Sequence, residues 1–447
     1  QKKKYKQAEN RINKLLSYEN DDTYKFVILK SLESYNHSFL YKKIGKKDES
    51  LGRIDLITQA FQNCYLDSNK TNSHFLNIIN LQENDYSRYL FFYLANIINN
   101  DDYETANEIS KTIEPLTSGL LIAQVNKWIE NNEYNKFNNH FSCKNENDLL
   151  AEFFFLISNL YSSQDQFMES NFYLNISNYL NPKFEFNLSL VAENFYFNDE
   201  FDKVKKILKN FKKEDEFYYW FRLKKEAQII IQKQDYENGI KYIDSKFNKI
   251  ENPNIKMIFD LANFYKNSKN YEKAIDRYTE IILTLDDNSL IKSDVLYRRG
   301  GSYERMGNYE KSDEDLLHAL KIDPSDAYIL NYLAYSWLER DYKINEAMDM
   351  LKTAYDLKSN DPYIIDSIGW GYYLIGNYLK AEKFLRQAIE IMPSDPIVND
   401  HYGDILWQLN RKVQASYFWK NALSIDEIEE EMKEKINKKL LLGPEKI

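Results

Sequence analysis

The feature that most constrains this chain is a repeat of about 34 residues in its second half. Counted from Pro362, Gly369 stands at position 8, Tyr372 at 11, Gly376 at 15, Ala381 at 20, Ala388 at 27 and Pro393 at 32. Counted from Pro396, Gly403, Ala415, Trp419 and Ala422 take positions 8, 20, 24 and 27. Counted from Ser293, Gly300, Tyr303, Gly307, Leu316, Ala319 and Pro324 take positions 8, 11, 15, 24, 27 and 32. Between these lies 327–360, with Ala334 and Trp337 at 8 and 11 and one extra residue before Ala347, Leu351 and Ala354. A period of this length marks stacked two-helix units, none of which can bury its apolar face alone. Where the two helices cross, any side chain larger than Ala holds the backbones apart, so positions 8, 20 and 27 are small. Bulky residues at 4, 11 and 24 surround the crossing, and a proline at 32 cannot continue a helix.

Upstream the same grid weakens. Ala262, Tyr265, Tyr271, Ala274 and Tyr278 fit a start at Ile255; Ala227 and Tyr236 fit Trp220; Ala192, Phe195 and Leu208 fit Glu185; Tyr161, Leu174 and Pro182 fit Ala151. Further starts fall near Ser118 and Arg88, and residues 2–16 match a lone second helix, so the chain is expected to begin inside the array. Residues 20–85 are helical by pattern but take no register. The expected organisation is 1–85 degenerate helical repeats, 86–254 divergent repeats, 255–426 repeats close to consensus, and 427–447 a capping helix and tail. In that last segment Glu429–Lys433, Glu431–Lys435 and Glu434–Lys438 are i,i+4 pairs, and Gly443–Pro444 stop the helix.

Composition agrees. The chain has 12 Gly and 8 Pro in 447 residues, about 4.5% against a usual 12% or so, too few for the turns of an all-β fold. Aromatic residues at 15% exclude general disorder. No apolar run approaches the roughly 18 residues of a membrane span. A net charge of -10 with both signs intermixed excludes a broad nucleic-acid footprint. The fold class is therefore all-α, a solenoid of about nine or ten antiparallel helix pairs. Cys64 and Cys143 lack metal-ligand spacing; a disulfide between them is open but not arguable from the sequence, and free, partly buried thiols are the default expectation. The sequence starts at Gln1 without an apolar signal stretch, which implies that a preceding segment, a targeting segment among the candidates, lies outside it.

Catalytic patterns are absent from the sequence: there is no phosphate loop, HExxH, paired CxxC or GxSxG. The densest polar cluster is Asp400, His401 and Asp404. The two carboxylates share a helix face at i,i+4 while His401 points about 100° away, so hydrogen bonding rather than metal binding is expected. No cofactor is expected. The repeat resembles the tetratricopeptide repeat, which implies a right-handed superhelix whose concave groove is lined by the first helix of each pair, through positions 2, 5, 9 and 12. Those positions hold Tyr297; Tyr328, Asn331 and Tyr335; Tyr363, Asp366, Trp370 and Tyr373; and Ile397, Asp400, Asp404 and Trp407. The nine residues Tyr297, Asn331, Tyr335, Asp366, Trp370, Tyr373, Asp400, Asp404 and Trp407 are the expected partner-binding surface, an aromatic strip flanked by acids. Aromatic residues dominate recognition hot spots, although the same rings could equally pack between repeats.

These positions resemble the tetratricopeptide repeat, closely over 255–423 and faintly over 86–254. The strings LYRRGGSYERMGNYEKSDEDLLHAL, LNYLAYSWLER, DSIGWGYYLIG and NDHYGDILWQLNR are similar to large bacterial cell-envelope members of that family. The resemblance implies a non-catalytic scaffold or adaptor that binds a peptide or helix of a partner protein. It also implies a periplasmic or outer-membrane setting, with a cytoplasmic one as the alternative. Some relatives present substrates to a carboxy-terminal processing protease, so an envelope protease or its substrates are implied partners. The family's carboxylate clamp, with Lys or Arg at position 5, is replaced here by Tyr297, Asn331, Asp366 and Asp400, which argues against chaperone-tail binding. Two rivals stand: the repeat part of a larger enzyme, and a structural homo-oligomer.

Overall fold

The computed structural model describes residues 2–18, 23–45, 47–81, 87–425 and 428–444. Among them every regular element is a helix. The chain forms two compact units, Gln1–Met257 and Ile258–Ile447. The expected boundaries at 85/86 and 426/427 lie outside the described residues. The N-terminal unit contains α1 (Lys2–Leu16), α2 (Thr23–Tyr41), α3 (Arg53–Tyr65), α4 (Thr71–Ile79), α5 (Tyr89–Asn99), α6 (Tyr103–Thr112), α7 (Leu120–Glu130), α8 (Asn135–His140), α9 (Glu146–Ser162), α10 (Phe167–Leu180), α11 (Leu188–Phe197), α12 (Phe201–Leu208), α13 (Glu216–Lys233) and α14 (Tyr236–Phe247). From α15 (Ile255–Asn267) onward follow α16 (Tyr271–Ile282), α17 (Leu290–Arg305), α18 (Tyr309–Ile322), α19 (Ala327–Glu339), α20 (Ile344–Leu357), α21 (Pro362–Leu374), α22 (Tyr378–Ile391), α23 (Pro396–Gln408), α24 (Lys412–Leu423) and α25 (Glu430–Leu442). The described residues thus hold 25 α-helices, more than nine or ten pairs supply. The added helices lie in 1–85, where α1 packs on α2 and α3 on α4.

The crossing of each pair is as close as the small residues permit. A Cβ added at Gly369 would come within 2.8 Å of Leu385, and one at Gly403 within 2.4 Å of Trp419. Position 8 therefore rests directly on position 24 of the partner helix. Ala381, Ala388, Ala415 and Ala422 are fully buried at the same crossings. Capping is equally regular. Asp326, Asp361 and Asp395 each accept two backbone N–H groups at the start of a first helix. Asn270, Asn308 and Asn377 each accept one at the start of a second helix. Such side-chain oxygens satisfy donors that have no partner within the helix.

The bend between first and second helix takes a left-handed residue, Gly307 (φ 72°) and Gly376 (φ 76°) where the grid is clearest. Elsewhere Asp67, Asp101, Asn132, Asp165, Asp199, Lys269, Asp341 and Asn410 hold the same conformation. Asp and Asn tolerate it better than most residues. This marker supplies the register that 20–85 lacked, since Asp67 closes α3 as Asp101 closes α5. Two starts shift by about one turn: α9 begins at Glu146 rather than Ala151, and α13 at Glu216 rather than Trp220. In α9 the cap is Asn145, whose side chain accepts from Asn147 N.

In the N-terminal unit the rings of several helices turn on one another. Phe92 of α5 lies 4.9 Å from Phe61 of α3 and 4.7 Å from Phe141, centroid to centroid. Tyr35 of α2 meets Phe153 of α9 at 5.8 Å. At this core the half-buried Arg88 binds both oxygens of the buried Glu152, at 2.8 and 2.7 Å, and Asn187 Oδ1 at 2.7 Å. Its guanidinium covers the Phe155 ring at 3.7 Å. A carboxylate as buried as Glu152 is tolerable only when so fully bonded. The expectation of free thiols is corrected: Cys64 and Cys143 form a disulfide across 79 residues of sequence. The 20–85 segment had no register, so nothing in the sequence placed Cys64 beside Cys143. Closing so long a loop removes much chain entropy from the unfolded state. Cys64→Ser with Cys143→Ser is expected to lower the stability of this unit by about 2–4 kcal/mol, read as a lower denaturation midpoint; an unchanged midpoint would contradict the pairing.

Candidate functional site

The first helices of the C-terminal unit, α17, α19, α21 and α23, carry the expected surface. Their caps and small crossings set the rotation of each helix, and so decide which residues turn away from the second helices. Tyr328, Tyr363 and Ile397, at position 2, are exposed to 45%, 59% and 49%. The deeper rows differ from expectation. Tyr373, Asp366, Asp400 and Asp404 are buried, while Tyr297, Asn331, Tyr335, Trp370 and Trp407 are half-buried. Tyr297 meets Tyr332 edge-on at 5.6 Å.

Trp370 is the middle of a stack. Its ring lies 4.0 Å from the His401 imidazole and 4.6 Å from the Tyr373 ring, each nearly parallel. Its Nε1 donates to Glu339 Oε1 at 2.6 Å. His401 Nδ1 lies 2.9 Å from Asp366 Oδ2. This joins α21 to α23 through a ring, an imidazole and a carboxylate. Register reasoning singled out Trp370 and Asp366 but not His401 as their partner, because His401 sits one residue off the groove positions.

The largest departure concerns the C-terminal helix. It packs on α24 and also reaches the groove positions. Lys439 Nζ donates to Asp400 Oδ2 at 2.7 Å and to Asp404 Oδ2 at 2.8 Å. Asp404 Oδ1 accepts from Trp419 Nε1 at 3.0 Å. Gly443, with φ 82°, lies against Trp407 so tightly that a Cβ would come within 2.5 Å of its ring. At the other end Glu429 pairs with Lys269 at 2.9 Å, rather than with Lys433 as expected. A helix expected only to cap the last repeat thus sits on three of the nine expected groove positions' side chains: Asp400, Asp404 and Trp407. Its apolar hold is narrow, since Ile436 is its one fully buried residue, worth about 2 kcal/mol.

Burial pushes the Asp404 carboxyl up to about 6, with the Asp400 charge adding to it and Lys439 opposing. Burial pulls the His401 imidazole down, but Asp366, backed by Asp400 and Asp404, outweighs it and the net shift is upward. Lys439 is likewise pulled down by burial and raised overall by the two aspartates. One oxygen each of Asp366 and Asp400 is buried without a hydrogen-bond partner among the described residues. The cluster suits cation recognition more than acid–base chemistry. No group of three His, Cys, Asp or Glu side chains among the described residues is placed to hold a metal ion.

Both shifts act on stability in the same sense. A histidine whose folded pKa exceeds its unfolded value near 6.5 stabilises fully below about pH 6.5, and that contribution is lost as pH rises through the folded value. A carboxyl that titrates near 6 when folded and near 4 when unfolded costs stability as pH rises between those values. The C-terminal unit is therefore expected to be less stable at pH 8 than at pH 5, measured by denaturation. His401→Gln should flatten that dependence; an equal slope in wild type and variant would contradict the assignment to His401.

A family model described as tetratricopeptide repeat matches residues 222–426. A TPR repeat-containing protein of Pseudomonas aeruginosa is 34% identical over 110 residues, 25% of this chain and 18% of that protein. A lipoprotein NlpI homolog of Haemophilus influenzae is 29% identical over 126 residues, 28% of this chain and 40% of that protein. The matched stretches thus span well under half the length of either relative. Among solved structures, a tetratricopeptide repeat protein of Parabacteroides merdae aligns with 65% of this chain and 98% of its own at a TM-score of 0.41 and 15% identity.

Proposed function

Taking the chain as a tetratricopeptide-repeat protein, with the repeats matched over 222–426, we infer that it is a non-catalytic adaptor whose C-terminal unit binds a helix or peptide of a partner protein along its first helices. Stacked repeats offer a long, preorganised surface, and this fold supports protein interaction in general. The observation that carries the finer reading is α25 itself, a helix already seated on Asp400, Asp404 and Trp407. The open part of the surface is the position-2 row of Tyr328, Tyr363 and Ile397, with Trp370 beside it.

We place the protein in the cell envelope or periplasm. The Cys64–Cys143 disulfide suits an oxidising compartment, and one relative is described as a lipoprotein homolog. No helix among the described residues is long and apolar enough to cross a membrane. An envelope protease or its substrates remain the partner class suggested by the family resemblance.

Affinity capture from native extract, followed by binding measurements with the captured protein, tests the reading. Tyr363→Ala removes an exposed ring and should leave folding intact while weakening binding by about 2 kcal/mol, roughly thirtyfold. Trp370→Ala should do as much per folded molecule. Lys383→Ala, exposed on the second helix α22, should have little effect. Undiminished binding in both aromatic variants would overturn the groove assignment.

A further inference from the structure

We propose that α25 is an internal occupant of the first-helix face, and that the partner is a helix bearing a basic residue that takes the place of Lys439 and must displace α25 to bind. The inference rests on the adaptor reading and names its partner class and its control. Three observations carry it. First, Lys439 is held between two buried carboxylates on one helix face, at 2.7 and 2.8 Å, a geometry that selects a cation and a register together. Second, Asp400 keeps an oxygen buried with no hydrogen-bond partner among the described residues, so the seat offers more acceptor capacity than Lys439 uses. Third, α25 is built for release. Ile436 is its one fully buried residue, whereas Leu441 and Leu442 are 84% and 74% exposed.

Intramolecular occupancy raises the concentration an outside helix must exceed, because a short tether gives an effective concentration in the millimolar range. A partner then binds weakly until α25 leaves. Charge complementarity sets its chemistry: an acidic or neutral helix would leave Asp400 and Asp404 buried without a counterion, a heavy cost.

The test uses a labelled peptide with the sequence of residues 429–444 and the full-length chain. Two variants release α25 by different means. Lys439→Ala removes the ammonium, and Gly443→Ala forces a side chain into Trp407 at a left-handed backbone position while leaving every charge in place. The peptide is expected to bind both variants at least tenfold more tightly than wild type. Replacing the lysine that corresponds to Lys439 in the peptide should cost it at least tenfold against Gly443→Ala. Equal affinity for wild type and variants, or full binding by the lysine-free peptide, would overturn the proposal. If Lys439→Ala fails to fold, Gly443→Ala decides alone. Dimerisation of the variants with no peptide binding would assign the seat to a second copy of the chain and also overturn it. The adaptor reading fails separately, by partner capture indifferent to Tyr363→Ala and Trp370→Ala.

Discussion

Everything in the C-terminal unit depends on how closely two helices of a pair can approach. Gly369 against Leu385 and Gly403 against Trp419 leave no room for a Cβ, and the buried alanines of the second helices hold the same spacing. That contact fixes the rotation of each first helix about its axis, and rotation decides which residues face outward. Asp400 and Asp404 arrive on one face of α23 because Gly403, between them, is turned to the partner helix. The acidic seat is thus a by-product of the crossing, as is the stack of Tyr373, Trp370 and His401 between α21 and α23.

Electrostatics then sets what the face accepts. Asp366, Asp400 and Asp404 are buried near one lysine and one histidine. Burial of carboxylates is costly, and it is offset here by the ammonium of Lys439, the indole N–H of Trp419 and the imidazole of His401. The upward shifts differ in origin: burial, helped by the Asp400 charge, raises Asp404, whereas His401 rises against its burial because Asp366, Asp400 and Asp404 lie beside it. A site of this kind favours a cationic occupant, and the chain supplies one from its own C-terminal helix.

The C-terminal repeats were legible because their close contacts need Gly and Ala, residues that stand out in a Gly-poor chain. The N-terminal half obeys the same geometry with less conspicuous residues. Ser158, Ser170 and Ser177 occupy the three small positions of the α9–α10 pair, all buried, with their hydroxyls bonded locally or to Asn194 and the Ala151 carbonyl. Asp and Asn replace glycine at the bends. Both substitutions are readable once sought, but neither is distinctive. The Cys64–Cys143 pairing had no local signal, because 79 residues separate its ends. The expected groove residues were legible as positions, yet the burial of Asp366, Tyr373, Asp400 and Asp404 was not. The helix that covers them is polar, carries one fully buried aliphatic residue and looks in sequence like a solvated cap.

Hydrogen exchange along α25 in the intact chain tests the central claim most directly, that this helix occupies the partner-binding face reversibly. The account predicts that amides around Ile436 and Lys439 are protected, and that they open at a lower free energy than those of α21 and α23. It also predicts that their protection is lost when the captured partner binds. Amides in α25 that exchange only with α23, and keep their protection in the complex, would show a permanent structural cap and contradict the account.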